Sequence, residues 1–95
     1  MQICRTVGTV VSTRKEERIR SLKLLLVEPV TPSGEKSGRQ LVAVDAVGAG
    51  VGETVLIAQG SSARMTDLSN ERPVDAVIMA IVDTIEVAGD VVYRK

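Results

Sequence analysis

A chain of 95 residues is long enough for one small domain, so we treat residues 1–95 as a single unit. Apolar residues make up 44% of it, but it has no Phe and no Trp, and Tyr93 is its only aromatic residue. The core must therefore consist of Val, Ile, Leu and Ala, which cover less area per side chain than aromatic residues. The net charge is zero, which argues against the strongly basic surface of a nucleic-acid binder.

The composition favours an oligomer, because a small core without large aromatics is hard to stabilise alone. Charge is also distributed unevenly along the chain. Residues 1–39 hold eight basic and four acidic residues (8 − 4 = +4), and residues 40–95 hold four and eight (4 − 8 = −4). Opposite charges on two faces would help neighbouring subunits attract each other. We expect a homo-oligomer that completes its core at subunit interfaces.

Cysteine usage and the N-terminal residues indicate a cytoplasmic protein. Cys4 is the only cysteine, so no intramolecular disulfide can form. Its apolar neighbours predict a small buried residue rather than a reactive thiol. The N-terminus does not resemble a signal peptide, and the apolar runs are too short to span a bilayer. We therefore expect no contact with a membrane.

The first part of the chain predicts two strands joined by a charged connection. Residues 2–13 are rich in β-branched side chains and read as a strand, bent or bulged near Gly8. Residues 14–20 are charged and connect it to a second strand at 22–30. Prolines end that second strand, since proline cannot donate to a strand ladder.

The middle of the chain continues with short strands between turns. Residues 32–35, Pro-Ser-Gly-Glu, are a turn signal. A third strand is predicted at 39–44 and a fourth at 54–58. Between them lies the glycine loop, residues 48–52, in which glycine stands at every second position.

The last third predicts one helix and more strand. Ser61 or Ser62 can cap a short helix over residues 62–68. Residues 77–87 are β-rich throughout and read as one long strand, followed by a last short strand at 91–94. Five main strands with one short helix after the fourth predict an all-β fold, a small closed or partly open barrel.

The residue types needed for common enzyme sites are missing. Without histidine there is no imidazole base, no His-ligated metal and no Ser-His-Asp triad. One cysteine excludes a thiolate cluster for zinc. Carboxylates remain as acid/base candidates, but none forms a recognisable pair: Glu53, Asp75, Asp83 and Glu86. The sequence therefore predicts no enzyme, no cofactor and no metal site.

Asp83 stands between Val82 and Thr84 within the β-rich run. In that setting we expect a buried and hydrogen-bonded side chain. The interpretation we favour is a structural acceptor or an ion-pair partner for Arg64 or Arg72 rather than a catalytic base, because an unpaired buried charge is costly.

The glycine loop allows a close approach to a phosphate, to a neighbouring strand or to a symmetry-related copy of the chain. It has Gly-x-Gly-x-Gly spacing, no lysine, and a strand rather than a helix after it, unlike phosphate-binding loops. Glu53 would also repel an anion. Single-stranded nucleic acid is the alternative ligand for such a barrel, but it usually needs aromatic stacking platforms and a basic groove. A small-molecule site in the loop is disfavoured by the same missing lysine and histidine.

Six segments in a fixed order give the chain a resemblance to the vertex proteins of bacterial microcompartments, which include carboxysome and ethanolamine-utilisation shell pentamers. The resemblance spans nearly the whole length. It rests on residues 1–3 with 8–13, 22–27, 45–50 with 52–57, 60–64, 72–76 and 80–85.

The resemblance implies a five-stranded barrel of the oligonucleotide-binding type that assembles as a cyclic pentamer. It implies a structural protein, located in the cytoplasm, that plugs the five-fold vertices of a polyhedral shell beside hexameric and trimeric shell proteins. In this family the glycine loop lines a narrow central opening, which assigns that role to Gly48, Ala49 and Gly50. Further motif positions are candidates for the subunit interface: Ser61, Ser62, Arg64, Arg72, Asp75 and Asp83.

Overall fold

Seven β-strands account for most of the chain in the computed structural model, which describes residues 1–13, 15–19, 21–60, 63 and 74–95. Five of them form a closed barrel: β1 (Gln2–Val10), β2 (Leu24–Pro29), β3 (Leu41–Asp45), β4 (Thr54–Gln59) and β5 (Ala76–Ile81). The other two form a separate two-stranded sheet, which we call the hairpin: β6 (Thr84–Val87) and β7 (Asp90–Arg94). A short 3-10 helix, Glu17–Ile19, precedes β2.

The barrel strands follow the order β1-β2-β3-β5-β4, and β4 closes the barrel against β1. Every neighbouring pair is antiparallel except β3 and β5, which run parallel. Parallel neighbours need a crossover, and here β4 lies within it. The predicted all-β barrel is confirmed.

Two irregularities in register let the strands curve into this closed shape. One lies on β1 between Thr6 and Gly8, opposite β2, and confirms the bulge predicted near Gly8. The other lies between Leu56 and Ile57, opposite β5. A bulge bends its strand and increases the local twist, which helps a small sheet close on itself.

Small and branched aliphatic side chains fill the barrel, as the composition requires. The main cluster of buried residues draws on β1 to β5 and on the glycine loop: Cys4, Leu25, Val27, Ala43, Ala49, Val55, Ile57, Ala76 and Ile78. A second cluster covers the outside of β3 and β5: Leu22, Val44, Ala63, Val74 and Val77. Because β5 has buried residues in both clusters, its sequence lacks the simple alternation of a half-buried strand.

The long strand predicted over residues 77–87 is wrong, because the chain leaves the barrel at Val82 and Asp83. The Val82 N–H donates to the Thr54 carbonyl at 2.8 Å, and Thr54 is the first residue of β4. Beyond it β5 has no barrel partner in β4, and the chain pairs with β7 instead. Asp83 is exposed, so the prediction of a buried acceptor there is also wrong.

The remaining predictions differ mainly at element ends. The first strand ends at Val10 rather than at residue 13, and Val11 is exposed. The turn at residues 32–35 is confirmed by a Gly34 N–H bond to the Thr31 carbonyl at 2.8 Å. The predicted helix over residues 62–68 lies outside the described residues except for Ala63. No helix in the described part of the chain has the length and hydrophobicity needed to cross a bilayer.

Candidate functional site

Asp45, the last residue of β3, fixes the entrance to the glycine loop. Its Oδ1 accepts hydrogen bonds from the backbone N–H groups of Val47 and Gly48, both at 3.0 Å. Its Oδ2 lies 3.6 Å from Lys23 Nζ, and its side chain is only 2% exposed. A carboxylate that accepts from the two following turns of backbone is a local device for reversing the chain. The loop therefore starts from a rigid strand end.

Ala49 faces inward rather than outward. Its side chain is fully buried and belongs to the barrel core. Its carbonyl accepts a hydrogen bond from Lys23 Nζ at 3.1 Å. The loop thus closes one end of the barrel, and only backbone of Ala49 is available to line an opening.

Thr6 and Glu53 hold the second half of the loop. The Thr6 hydroxyl donates to the Gly50 carbonyl, and the Glu53 carboxylate accepts from the Gly50 N–H at 2.6 Å. The Gly52 N–H donates to the Thr6 carbonyl at 2.8 Å, and the Glu53 N–H donates to the Thr6 hydroxyl at 3.1 Å. Both polar backbone groups of Gly50 are consequently satisfied within the subunit.

The three loop glycines differ in what they need. Gly48 and Gly52 have φ of 78° and 94°, in the left-handed region that strains other residues. Gly50 is outside that region, and a Cβ there would meet only the Glu53 Oε1 atom, at 3.4 Å, among the described residues. The subunit alone therefore explains glycine at 48 and 52 but not at 50.

The exposed side chains of this loop are apolar. Val51 is 58% exposed, and Val47 is also exposed. Exposed valines beside engaged backbone groups make the loop surface poor in free hydrogen-bonding groups. Such a surface suits contact with a protein better than the binding of a phosphate, which confirms none of the anion-binding alternatives.

One ion pair joins the loop to the end of the hairpin. Glu53 Oε2 lies 2.9 Å from Lys95 Nζ. The hydrogen bond from Lys95, together with that from the Gly50 N–H, lowers the pKa of Glu53 below its usual value. The same carboxylate raises the pKa of Lys95. Both groups are therefore charged at neutral pH.

The other predicted site residues do not join this loop. Ser61, Ser62, Arg64 and Arg72 lie outside the described residues. Asp75 is exposed, and its carbonyl accepts from the Gly60 N–H at 2.7 Å. Asp83 lies at the base of the hairpin, where its carbonyl accepts from the Lys95 N–H at 2.8 Å. Within residues 1–60 and 74–95 as described, no group of three or more His, Cys, Asp or Glu could hold a metal ion.

Sequence reasoning missed the residues that hold the loop: Thr6, Lys23, Asp45 and Lys95. A signal existed for Asp45, because an aspartate two and three residues before the backbone groups that it caps is a common turn pattern. Thr6, Lys23 and Lys95 are distant in sequence from the loop. No local pattern indicates them.

Cys4 is fully buried in the barrel, which confirms the predicted buried residue. Burial raises the pKa of its thiol to about 11. Because the thiolate is the reactive form, we expect the folded protein at pH 8 to react with a thiol reagent at least about tenfold more slowly than the urea-unfolded chain. Absorbance of the released thiolate from an aromatic disulfide reagent measures both rates. Equal rates would contradict the burial.

Comparison with known proteins gives matches over the whole chain. The family described as "Ethanolamine utilisation protein EutN/carboxysome" matches residues 1–83. The carboxysome shell vertex protein CcmL of Synechocystis sp. is 44% identical over 95 residues, covering 100% of this chain and 95% of that protein. The microcompartment shell vertex protein EutN of Escherichia coli is 39% identical over 95 residues, covering 100% of both.

Solved structures agree. The CcmL structure from Nostoc sp. is 47% identical, covers 100% of both chains and superposes with a TM-score of 0.94. The GrpN pentameric microcompartment shell protein from Rhodospirillum rubrum is 42% identical and covers 93% of this chain and 100% of its own, with a TM-score of 0.83. The likeness therefore includes the barrel, the glycine loop and, in the CcmL structure, the hairpin.

Proposed function

The chain belongs to the EutN/CcmL family of microcompartment shell vertex proteins, and from that premise we propose that it forms a cyclic homopentamer that caps the five-fold vertices of a bacterial microcompartment shell. The observation that carries the proposal is the match over the full length to shell vertex proteins, with a TM-score of 0.94 to a CcmL structure. The role is structural and not enzymatic, as it is in these relatives. It locates the protein in the shell of a compartment within the bacterial cytoplasm.

We propose that Gly48, Ala49 and Gly50 line the opening on the five-fold axis. The support is Gly50, whose glycine is not required by φ or by neighbouring atoms of its own subunit. At a five-fold axis each side chain is repeated five times in a confined space, which gives a reason for glycine there. Side chains of the barrel already satisfy the loop's polar backbone groups, so five loops can converge without unpaired donors.

Hexameric and trimeric shell proteins are the proposed lateral partners of the pentamer. The argument is geometric: a plug at a vertex must contact the subunits of the facets that meet there. Our nucleic-acid alternative gains no support from the fold, because Tyr93 lies on β7 of the hairpin and not on the barrel sheet. The barrel strands thus lack the stacking platform that single strands require.

Native mass spectrometry tests the assembly directly. Five copies of 10.1 kDa give one species near 50.5 kDa (5 × 10.1). A monomer or dimer that persists over a wide range of protein concentration would contradict the pentamer. Co-expression with hexameric shell proteins, followed by electron microscopy, tests the vertex role: closed particles are expected with the chain, and open sheets or tubes without it.

A further inference from the structure

We propose that Glu53 is the positioning residue of the glycine loop, and that Lys95 at the end of the hairpin holds the Glu53 carboxylate in that position. The proposal goes beyond the vertex role and rests on it only in placing the loop at the axis. It states that the hairpin and the loop are mechanically linked through one side chain.

On the loop side, Glu53 closes a tight three-residue turn. Its Oε1 accepts from the Gly50 N–H at 2.6 Å, while its own N–H donates to the Gly50 carbonyl at 3.3 Å and to the Thr6 hydroxyl at 3.1 Å. The turn is therefore held by backbone and side chain of the same residue. Hydrogen bonds to an ionised carboxylate are about twice as strong as those between neutral groups.

On the hairpin side, the Glu53 Oε2 atom pairs with Lys95 Nζ at 2.9 Å. Lys95 is itself fixed, because its N–H donates to the Asp83 carbonyl at 2.8 Å at the base of the hairpin. The lysine thus reaches the loop from a defined backbone position. Occupying one carboxylate oxygen with the ammonium directs the other toward Gly50.

The link crosses from the barrel to a segment beyond the matched family region. That region ends at residue 83, and β6 begins at Thr84. The hairpin pairs with no barrel strand among the described residues, and its valines Val87, Val91 and Val92 are exposed. A two-stranded sheet is marginally stable alone, so its position depends on such tethers. Displacing the hairpin would remove Lys95 from Glu53 and loosen the loop.

Hydrogen exchange of the Gly50 amide, measured by NMR on the deuterated, assembled protein, tests the link. Lys95→Met leaves the Glu53–Gly50 bond possible but removes the ammonium. We expect Gly50 exchange to accelerate about two- to fivefold, the range for a partly exposed ion pair. Glu53→Ala removes both contacts, and we expect an acceleration of about tenfold or more.

Glu16→Gln is the matched control. It removes an exposed carboxylate that pairs with Arg18 at 2.8 Å, far in sequence from the loop. Gly50 exchange should not change in this variant, and exchange of the Val27 amide in β2 should not change in any of the variants. An unchanged Gly50 rate in Lys95→Met would overturn the link to the hairpin, and an unchanged rate in Glu53→Ala would overturn the positioning role.

A charge swap separates positioning from simple charge pairing. Glu53→Lys combined with Lys95→Glu restores an ion pair but places a donor where the Gly50 N–H needs an acceptor. We expect Gly50 exchange to remain fast, whereas recovery of wild-type protection would overturn the positioning role. The mass of the assembly, measured on the same wild-type sample, reports on the pentamer separately. Absence of a pentamer would contradict the proposed function and leave the Glu53 result readable.

Discussion

Gly50→Trp is expected to remove the single 50.5 kDa species from native mass spectra or to leave a pentamer whose five tryptophans are shielded from solvent (5 × 10.1 kDa). The physical reason is crowding, since a bulky ring repeated five times around an axis fills it or pushes the subunits apart. Within the subunit the substitution is tolerable, because a Cβ at Gly50 meets only the flexible end of Glu53. The effect therefore reports on the assembly.

The chain contains no natural Trp, so the new ring is a unique fluorophore. Acrylamide quenching and the emission maximum measure its exposure. Gly50→Ala is the small matched change and should retain the pentamer. Val91→Trp places the same ring at an exposed position on β7 and should be quenched freely. A wild-type pentamer in which the ring at position 50 is quenched as freely as at position 91 would remove the loop from the axis.

Local patterns predicted the barrel strands because the signals for them are local. Alternating and β-branched residues placed β1 to β4 to within a few residues, and the turn at residues 32–35 followed from Pro and Gly. The break at Asp83 was not predictable in this way, because residues 77–87 are β-forming throughout. What ends β5 is the first residue of β4, Thr54, and that is a tertiary contact.

The glycine loop shows the same division. Its existence and its glycines were evident from sequence, and its following strand argued correctly against a phosphate site. The role of Glu53 was misread, because it was considered only as a charge that repels anions. In the structure it accepts from the Gly50 N–H three residues earlier. The partner that fixes it, Lys95, is 42 residues away (95 − 53), and no sequence pattern predicts that pairing.

Ile57→Ala is expected to give the largest loss of stability of a single barrel substitution. Ile57 is fully buried on β4, the strand that closes the barrel, and it is paired with Gln2 on β1 and with Ile78 on β5. Truncation leaves a cavity at the seam of an aliphatic core and costs about 2–5 kcal/mol. For a domain of this size each kcal/mol lowers Tm by roughly 4–8 °C, so we expect a drop of about 10 °C or more.

A graded series separates packing from other effects in this test. Ile57→Val removes one methyl group and should cost about 0.5–1.5 kcal/mol. Val42→Ala, at a half-exposed site on β3, should change the free energy of unfolding by about 0.5 kcal/mol or less. All variants must be melted at one protein concentration, because oligomerisation makes Tm depend on concentration. If Ile57→Ala melts with Val42→Ala, the core is not closed at this seam, and the barrel derives its stability from subunit contacts instead.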